Sequence, residues 1–95
     1  MKPYLELSDI FGEKSMDQRM IELASRFKVY RKKTGLTQLE LSDRSGVPYG
    51  TLKRFEQTGK ISLESLWLLA AAIGCDDQLD SLFGEPPLTA DDLRG

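Results

Sequence analysis

The stretch from Thr37 to Gly59 constrains the fold of this 95-residue chain more tightly than any other. Thr37 and Glu40 form a capping-box pattern, which supplies side-chain partners for backbone N–H groups at the start of a helix. Gly46 accepts left-handed backbone angles at low cost, and Pro48 suits the first position of a second helix. This order predicts two short helices that cross at a sharp turn. The residues expected at their contact are Ser42, Val47, Leu52 and Phe55.

Apolar spacing predicts three more helices, one before this stretch and two after it. The first ends at Gly35, the next begins after Ser62 and ends at Gly74, and the last is capped by Asp76. Their expected apolar residues are Met20, Leu23, Ala24, Phe27 and Tyr30, then Leu63, Leu66, Trp67, Ala70 and Ile73, then Leu79, Leu82 and Phe83. No segment alternates apolar and polar residues as a strand does, so the predicted fold class is all-α.

A chain of this length supports one hydrophobic core, which we place at residues 17–83. Residues 1–16 are then an N-terminal extension, and residues 84–95 an acidic, Pro-containing C-terminal tail. The net charge of −2 hides an uneven distribution. Residues 19–60 hold ten Lys and Arg against four acids, whereas residues 61–95 hold one Arg against seven acids. A basic centre beside an acidic C-terminal third indicates that one face of the molecule meets an anion.

The composition excludes several classes of function. The chain has no His and a single Cys, so the usual zinc ligands, an internal disulfide and His-dependent general-base catalysis are not available. We therefore expect no metal, no cofactor and no enzymatic activity. No apolar run approaches the roughly 20 residues of a membrane span, and no secretory signal pattern is present, so the expected location is the cytoplasm.

The pattern Thr37-Gln38-x-x-Leu41-Ser42-x-x-Ser45-Gly46-Val47-x-x-x-Thr51-Leu52-x-x-Phe55-Glu56 resembles the XRE class of regulators. The resemblance extends over about residues 20–83. It implies a five-helix, lambda repressor-like DNA-binding domain with a central helix-turn-helix. In such proteins the second helix of the motif lies in the major groove of double-stranded operator DNA, while the first crosses the backbone.

The resemblance also implies which residues meet DNA. Gln38 would touch a phosphate, and contacts to base edges would come from Tyr49, Gly50, Lys53 and Arg54. Arg54 suits base reading best, because a guanidinium can fork onto O6 and N7 of guanine, whereas Gly50 has no side chain with which to read a base. The residues suited to hold the phosphate backbone are Thr37, Thr51, Gln57, Thr58 and Lys60. A solvated helix face is the alternative for these polar residues, and helix capping alone is the alternative for Thr37.

The same resemblance implies a salt bridge, and the usual burial of free cysteines predicts the environment of Cys75. Glu56 is expected to form a partly buried salt bridge with Arg31 near the end of the first helix, which would tie that helix to the second helix of the motif. Cys75 is expected to be a small buried residue without chemistry of its own.

One recognition helix contacts too few bases for useful specificity. We therefore expect the protein to act together with a partner. Proteins of this architecture dimerise on a pseudo-palindromic site whose half-sites lie about one turn, roughly 34 Å, apart. We expect a homodimer whose interface uses Leu79, Leu82 and Phe83 or the apolar residues of the N-terminal extension; the alternative is that these residues only close the core.

A narrower resemblance concerns residues 49–66 and the ending Leu82-Phe83-x-x-Pro86-Pro87, which are similar to HipB antitoxins. It implies a kinase toxin of the HipA type as a second partner, with the acidic C-terminal third and the tail residues Leu88 and Leu93 facing it. Two alternatives stay open. One is a general or phage-type repressor without a toxin partner, and the other is an interaction module that binds only protein.

Overall fold

The computed structural model describes residues 14–84 and Arg94. Within that part of the chain the protein has five helices and no strand, so the all-α prediction is confirmed. The helices are α1 (Met16–Lys33), α2 (Gln38–Ser45), α3 (Tyr49–Thr58), α4 (Leu63–Ala72) and α5 (Asp76–Asp80). Outside the described residues lie the tail residues Leu88 and Leu93 and the apolar residues of the N-terminal extension that were candidates for packing or dimerisation, Tyr4, Leu5, Leu7, Ile10 and Phe11.

Local side-chain chemistry begins and ends these helices. A capping box at Ser15 starts α1, a second at Thr37 starts α2, and the Ser62 hydroxyl accepts the N–H of Ser65 at the start of α4. Gly46 ends α2 with a φ of 79°, in the left-handed region that glycine adopts without steric cost. The helix boundaries read from Thr37, Gly46 and Ser62 are therefore confirmed.

The core lies between the packed faces of α1, α2, α3 and α4. α1 packs on α3, α2 packs on both α3 and α4, and α4 packs on α5. Phe55 of α3 is fully buried, and its ring meets that of Phe27 edge to face with centroids 5.3 Å apart. Each large apolar side chain buried in this way contributes about 1.5–3 kcal/mol. The packing holds α3 against α1 and α2 with one side turned inward.

Three predicted boundaries near helix ends were wrong. Pro48 is the N-cap of α3 and not its first helical residue, because its ψ of 142° is extended. Asp76 is the first residue of α5 and not its cap; Cys75 occupies the N-cap position and makes no side-chain capping bond. α5 ends at Asp80, so Leu82 and Phe83 lie in the following turn, with 54% and 89% of their surface exposed.

The inward side of α4 was also predicted only in part. Ala70 and Ile73 are buried as expected, but Leu63 is exposed and the fully buried residue is Leu69. The sequence of α4 is apolar on all sides, with a Leu-Trp-Leu-Leu-Ala-Ala-Ala run. Spacing therefore did not identify its inward face, which is set by the contacts of α4 with α2 and α5.

Candidate nucleic-acid interface

The outer face of α3 is the candidate site. Leu52 and Phe55 are completely buried, and successive helix residues turn by about 100°. Gly50, Lys53, Arg54 and Gln57 therefore lie on the opposite side, and all four are exposed. A Cβ added at Gly50 would meet no atom within 4 Å, so nothing in the described part of the chain covers this face.

The charge of this face is positive. Lys53, Arg54 and the following Lys60 are exposed cations. Glu56 is the only acid between residues 49 and 60, and its side chain is only 2% exposed because it pairs with Arg31. The carboxylate is therefore kept off the outer surface, and a polyanion approaching α3 meets cations and neutral groups there.

The two ends of α3 are built differently. Tyr49 stands at the N-terminal end, 40% exposed, and no side chain caps that end. At the C-terminal end the Thr58 hydroxyl donates to the carbonyl of Arg54 (2.8 Å) and accepts the N–H of Lys60 (3.1 Å). Thr58 thus helps to end the helix. Thr51 is half-buried beside the core residue Leu52.

Hydrogen bonds across the turn hold α3 against α2. The Ser42 hydroxyl donates to the carbonyl of Val47 (2.7 Å), and the Ser45 hydroxyl accepts the N–H of Val47 (3.1 Å). Val47 itself is 1% exposed. Ser42 was expected where the two helices meet, and its bond to Val47 helps to fix the turn there. The angle at which α3 is presented therefore depends on side chains of α2.

A second set of bonds joins three helices beneath the candidate site. Arg31 of α1 donates from Nε to Glu56 Oε2 (2.7 Å) and from Nη2 to Glu56 Oε1 (2.9 Å). Its Nη1 donates to the carbonyl of Leu36 (2.8 Å) between α1 and α2. Glu56 Oε1 also accepts the side-chain Nε2 of Gln38, the first residue of α2 (2.9 Å). The carboxylate of α3 therefore connects α1 and α2 as well.

The start of α2 is held by its capping box. Thr37 Oγ1 accepts the N–H of Glu40, and Glu40 Oε1 accepts the N–H of Thr37, both at 3.1 Å. The backbone bond from Thr37, its side-chain bond and the nearby Arg44 lower the pKa of Glu40. The structure thus shows Thr37 capping the helix; its contact with a DNA backbone remains a prediction.

The rest of the described chain offers no second chemical centre. Among residues 14–84 and Arg94, no group of three or more Cys, Asp or Glu side chains is placed to hold a metal. Cys75 is buried, and its burial raises the pKa of the thiol. The negative charges of Asp77 and Asp76 raise this pKa further. No described helix has the length and apolar character needed to cross a membrane.

Comparison with known proteins agrees with this geometry. A helix-turn-helix family model matches residues 27–79, which include the last seven residues of α1, all of α2, α3 and α4, and four of the five residues of α5. No curated protein and no solved structure gives a significant match. The chain belongs to the XRE type of the helix-turn-helix family. It is therefore a DNA-binding transcription regulator.

Sequence reasoning placed most of the candidate residues in one region but missed one connection. Tyr49, Gly50, Lys53 and Arg54 were predicted as neighbours on α3, and the structure brings them together. The bond between Gln38 and Glu56 was not foreseen. It joins residues 18 positions apart, and neither helical spacing nor capping rules relate such positions.

Proposed function

We propose that the protein is a sequence-specific transcription repressor that inserts α3 into the major groove of its operator. The observation that carries this proposal is the outer face of α3: Lys53 and Arg54 are exposed, Gly50 is uncovered, and the one acid of the helix is buried against Arg31. A helix about 10–12 Å across enters the major groove of B-DNA, which is about 12 Å wide. A regular helix face with cations and no exposed acid fits that groove.

In this proposal the candidate residues either read base edges or hold the sugar-phosphate backbone. Arg54 forks onto O6 and N7 of a guanine, Lys53 reaches a guanine or a phosphate, and Tyr49 packs on a thymine methyl or bonds a phosphate. Gly50 lets the helix come close to the base pairs. The residues that hold the sugar-phosphate backbone are Thr37, Gln38, Thr51, Gln57, Thr58 and Lys60.

The proposal predicts that Arg54→Ala loses the ability to distinguish its operator sequence from unrelated DNA. The wild-type protein is first used to select duplexes from a randomised pool, and binding to the selected and to unrelated duplexes is then measured. Arg54→Ala should lose about 1–3 kcal/mol on the selected duplex and little on unrelated DNA. The matched control is Arg19→Ala, which removes an exposed arginine from the N-terminal half of α1. A failure of the wild type to bind any duplex at low salt, or equal losses from both variants, would overturn the proposal.

We further propose that the regulator binds as a homodimer. A groove of about 290 Å³ between α1 and the α4–α5 pair is lined by apolar side chains that include Leu23, Tyr30 and Leu79. Phe83 lies just after α5 with 89% of its surface exposed and a φ of 60°, a left-handed angle that is strained for a bulky residue. In a two-fold dimer this ring can enter the groove of the other copy.

Charge favours a second copy as the occupant of this groove. Arg26 lies on the α1 side of the groove, and the acidic α5 forms the other side. A two-fold operation brings the basic side of one copy onto the acidic side of its partner.

Sedimentation equilibrium should show a wild-type dimer and a weakened dimer for Phe83→Ala. Leu39→Ala, which truncates a residue of α2 with 60% exposure, is the control. A dimer equally stable in both variants would contradict this interface.

The narrower part of the proposal concerns regulation of its own operon and a kinase partner. We propose that the protein is the antitoxin of a HipA-like kinase and represses the operon that encodes both. Support comes from the similarity of residues 49–66 to HipB antitoxins and from the acidic C-terminal third, with one Arg against seven acids. The acidic side chains of α5, a helix without close contact with α3, suit a protein partner and do not suit DNA.

Co-expression with a neighbouring kinase gene tests this part. The kinase should co-purify with the full chain and not with a chain lacking residues 84–95, while operator binding stays intact. If the shortened chain still co-purifies with the kinase, the contact lies outside residues 84–95. If neither chain forms a complex, the remaining interpretation is a general or phage-type repressor. A wild-type chain that binds such a partner but no duplex would be a protein-only interaction module.

A further inference from the structure

We propose that Glu56 is a positioning residue for DNA binding: it holds the side-chain amide of Gln38 so that one N–H of this amide is directed to a backbone phosphate. This inference rests on the proposed function, because it needs α2 to lie against the DNA backbone. It goes beyond that function by giving the buried Arg31–Glu56 pair a role in binding as well as in folding.

The identity of the donor atom is fixed by chemistry. A carboxylate can only accept hydrogen bonds, so the Gln38 atom 2.9 Å from Glu56 Oε1 must be the amide nitrogen. That nitrogen carries two hydrogens in one plane, about 120° apart. One is used on Glu56, and the other is left pointing away from the carboxylate. The amide nitrogen can therefore bridge two anions, the buried carboxylate and an external phosphate.

The burial of the three side chains gives the arrangement a direction. The side chains of Arg31 and Glu56 are 7% and 2% exposed, whereas Gln38 is half-buried. The amide thus has one side on the sealed ion pair and another open to solvent. Gln38 is also the first residue of α2, next to the exposed Thr37, where helix geometry directs the first backbone N–H groups outward. Anions are favoured at such an end.

Arg31 holds the Glu56 carboxylate in place, so that this carboxylate does not follow movements of the Gln38 amide. Two bonds from the guanidinium and one from it to the Leu36 carbonyl fix the carboxylate relative to α1 and to the chain entering α2. A long Gln side chain on a helix surface normally loses rotamer freedom when it binds a phosphate. Here that freedom is already lost in the unbound protein, so DNA binding gains affinity from preorganisation.

A double-mutant cycle tests the proposal with three variants. Gln38→Ala removes the phosphate contact, and Arg31→Met with Glu56→Leu replaces the ion pair by apolar side chains, an exchange that buried pairs often tolerate. Gln38→Ala should weaken binding to a selected duplex about tenfold in the wild-type background. The ion-pair replacement should weaken it about two- to tenfold, and adding Gln38→Ala to that replacement should then cost less than about threefold.

The salt dependence supplies a control. Gln38 is neutral, so Gln38→Ala should reduce affinity without changing the slope of log affinity against log salt. Lys60→Ala should lower that slope by about 0.9. Equal losses from Gln38→Ala in both backgrounds would show that the ion pair is only structural and would overturn the proposal. No loss from Gln38→Ala would overturn it as well.

A measurement on the wild-type protein avoids dependence on the folding of the variants. In a nitrogen–proton correlation spectrum the Nε2 proton of Gln38 that is bonded to Glu56 should lie away from the position found for solvent-exposed Gln side chains before DNA is added, and the other, outer proton should shift on binding. If neither shifts, the proposal fails while the proposed function stands. If the wild type binds no duplex at all, the proposed function fails first and this inference fails with it.

Discussion

Two glycines near α3 show how single positions serve different purposes. Gly59 ends α3 with a φ of 80° and lies against the backbone of Met20 in α1. Gly50, on the outer face of the same helix, has ordinary helical angles and no neighbour within 4 Å of a Cβ. The first glycine is required by the fold. The second is not required by the fold, and in the proposed function it lets α3 come close to the base pairs.

Gly59→Ala should be strongly destabilising. The added Cβ would overlap the Met20 carbonyl and lie 2.6 Å from the Met20 Cβ, and an L-residue at this φ costs about 1–2 kcal/mol in addition. With overpacking included, we expect a loss of about 3 kcal/mol or more in the free energy of unfolding, measured with urea. The control is Gly46→Ala, where φ is 79° but no atom lies within 4 Å. Equal losses in the two variants would show that Met20 gives way.

Gly50→Ala should separate stability from binding. Alanine in an exposed helix position stabilises by up to about 1 kcal/mol relative to glycine, and there is room for it here. If Gly50 lets α3 come close to base pairs, the same change should weaken binding to the selected duplex. Ser25→Ala, at an exposed position of α1, should stabilise without altering affinity. An unchanged affinity for Gly50→Ala would remove the close-approach role.

At the scale of the elements, short-range chemistry was predictable and long-range choice was not. The box at Thr37, the turn at Gly46 and the cap at Ser62 each act within four residues, so the sequence contains the whole cause. The burial of Leu69 and the Gln38–Glu56 hydrogen bond depend on which helices pack together, and this is not determined by the residues nearby in the sequence. The same holds for Phe83: its spacing suits a helix, but α5 ends at Asp80 and leaves the ring exposed.

The capping box of α2 should make its contribution to stability pH-dependent. The bonds from Thr37 lower the pKa of Glu40 in the folded chain, so the ionised carboxylate is favoured by folding. Its contribution is therefore complete above the unfolded pKa, about 4.3, and is lost as the pH falls through the lower folded value. Urea midpoints of wild type and Glu40→Gln should differ at pH 7 and converge towards pH 3. A difference that is constant over this range would contradict the assignment.

The whole molecule combines an acidic average with a basic binding face. The chain carries a net charge of −2, yet the exposed charged residues from 53 to 60 are cations, and three acids lie together in α5. α5 packs on α4, and among the described residues it makes no close helix contact with α3. At physiological salt a charge acts over about 8 Å, so charges on separate elements are largely independent. Net charge is therefore a poor guide to what α3 binds.

Local charge, and not net charge, should then set the salt dependence of DNA binding. Log affinity should fall linearly with log salt, and Lys53→Ala should reduce the slope by about 0.9 if Lys53 neutralises a phosphate. Asp77→Asn raises the net charge of the chain by one unit but changes an exposed residue of α5. At about 0.15 M salt, and at protein concentrations at which sedimentation equilibrium shows both proteins to be dimers, it should leave affinity and slope within error, because screening separates Asp77 from α3. Titrations of a fluorescent duplex between 50 and 200 mM salt measure both quantities. A slope that follows the net charge of the variants, equal and opposite for Lys53→Ala and Asp77→Asn, would show that the whole surface contributes and that α3 is not the phosphate-binding face.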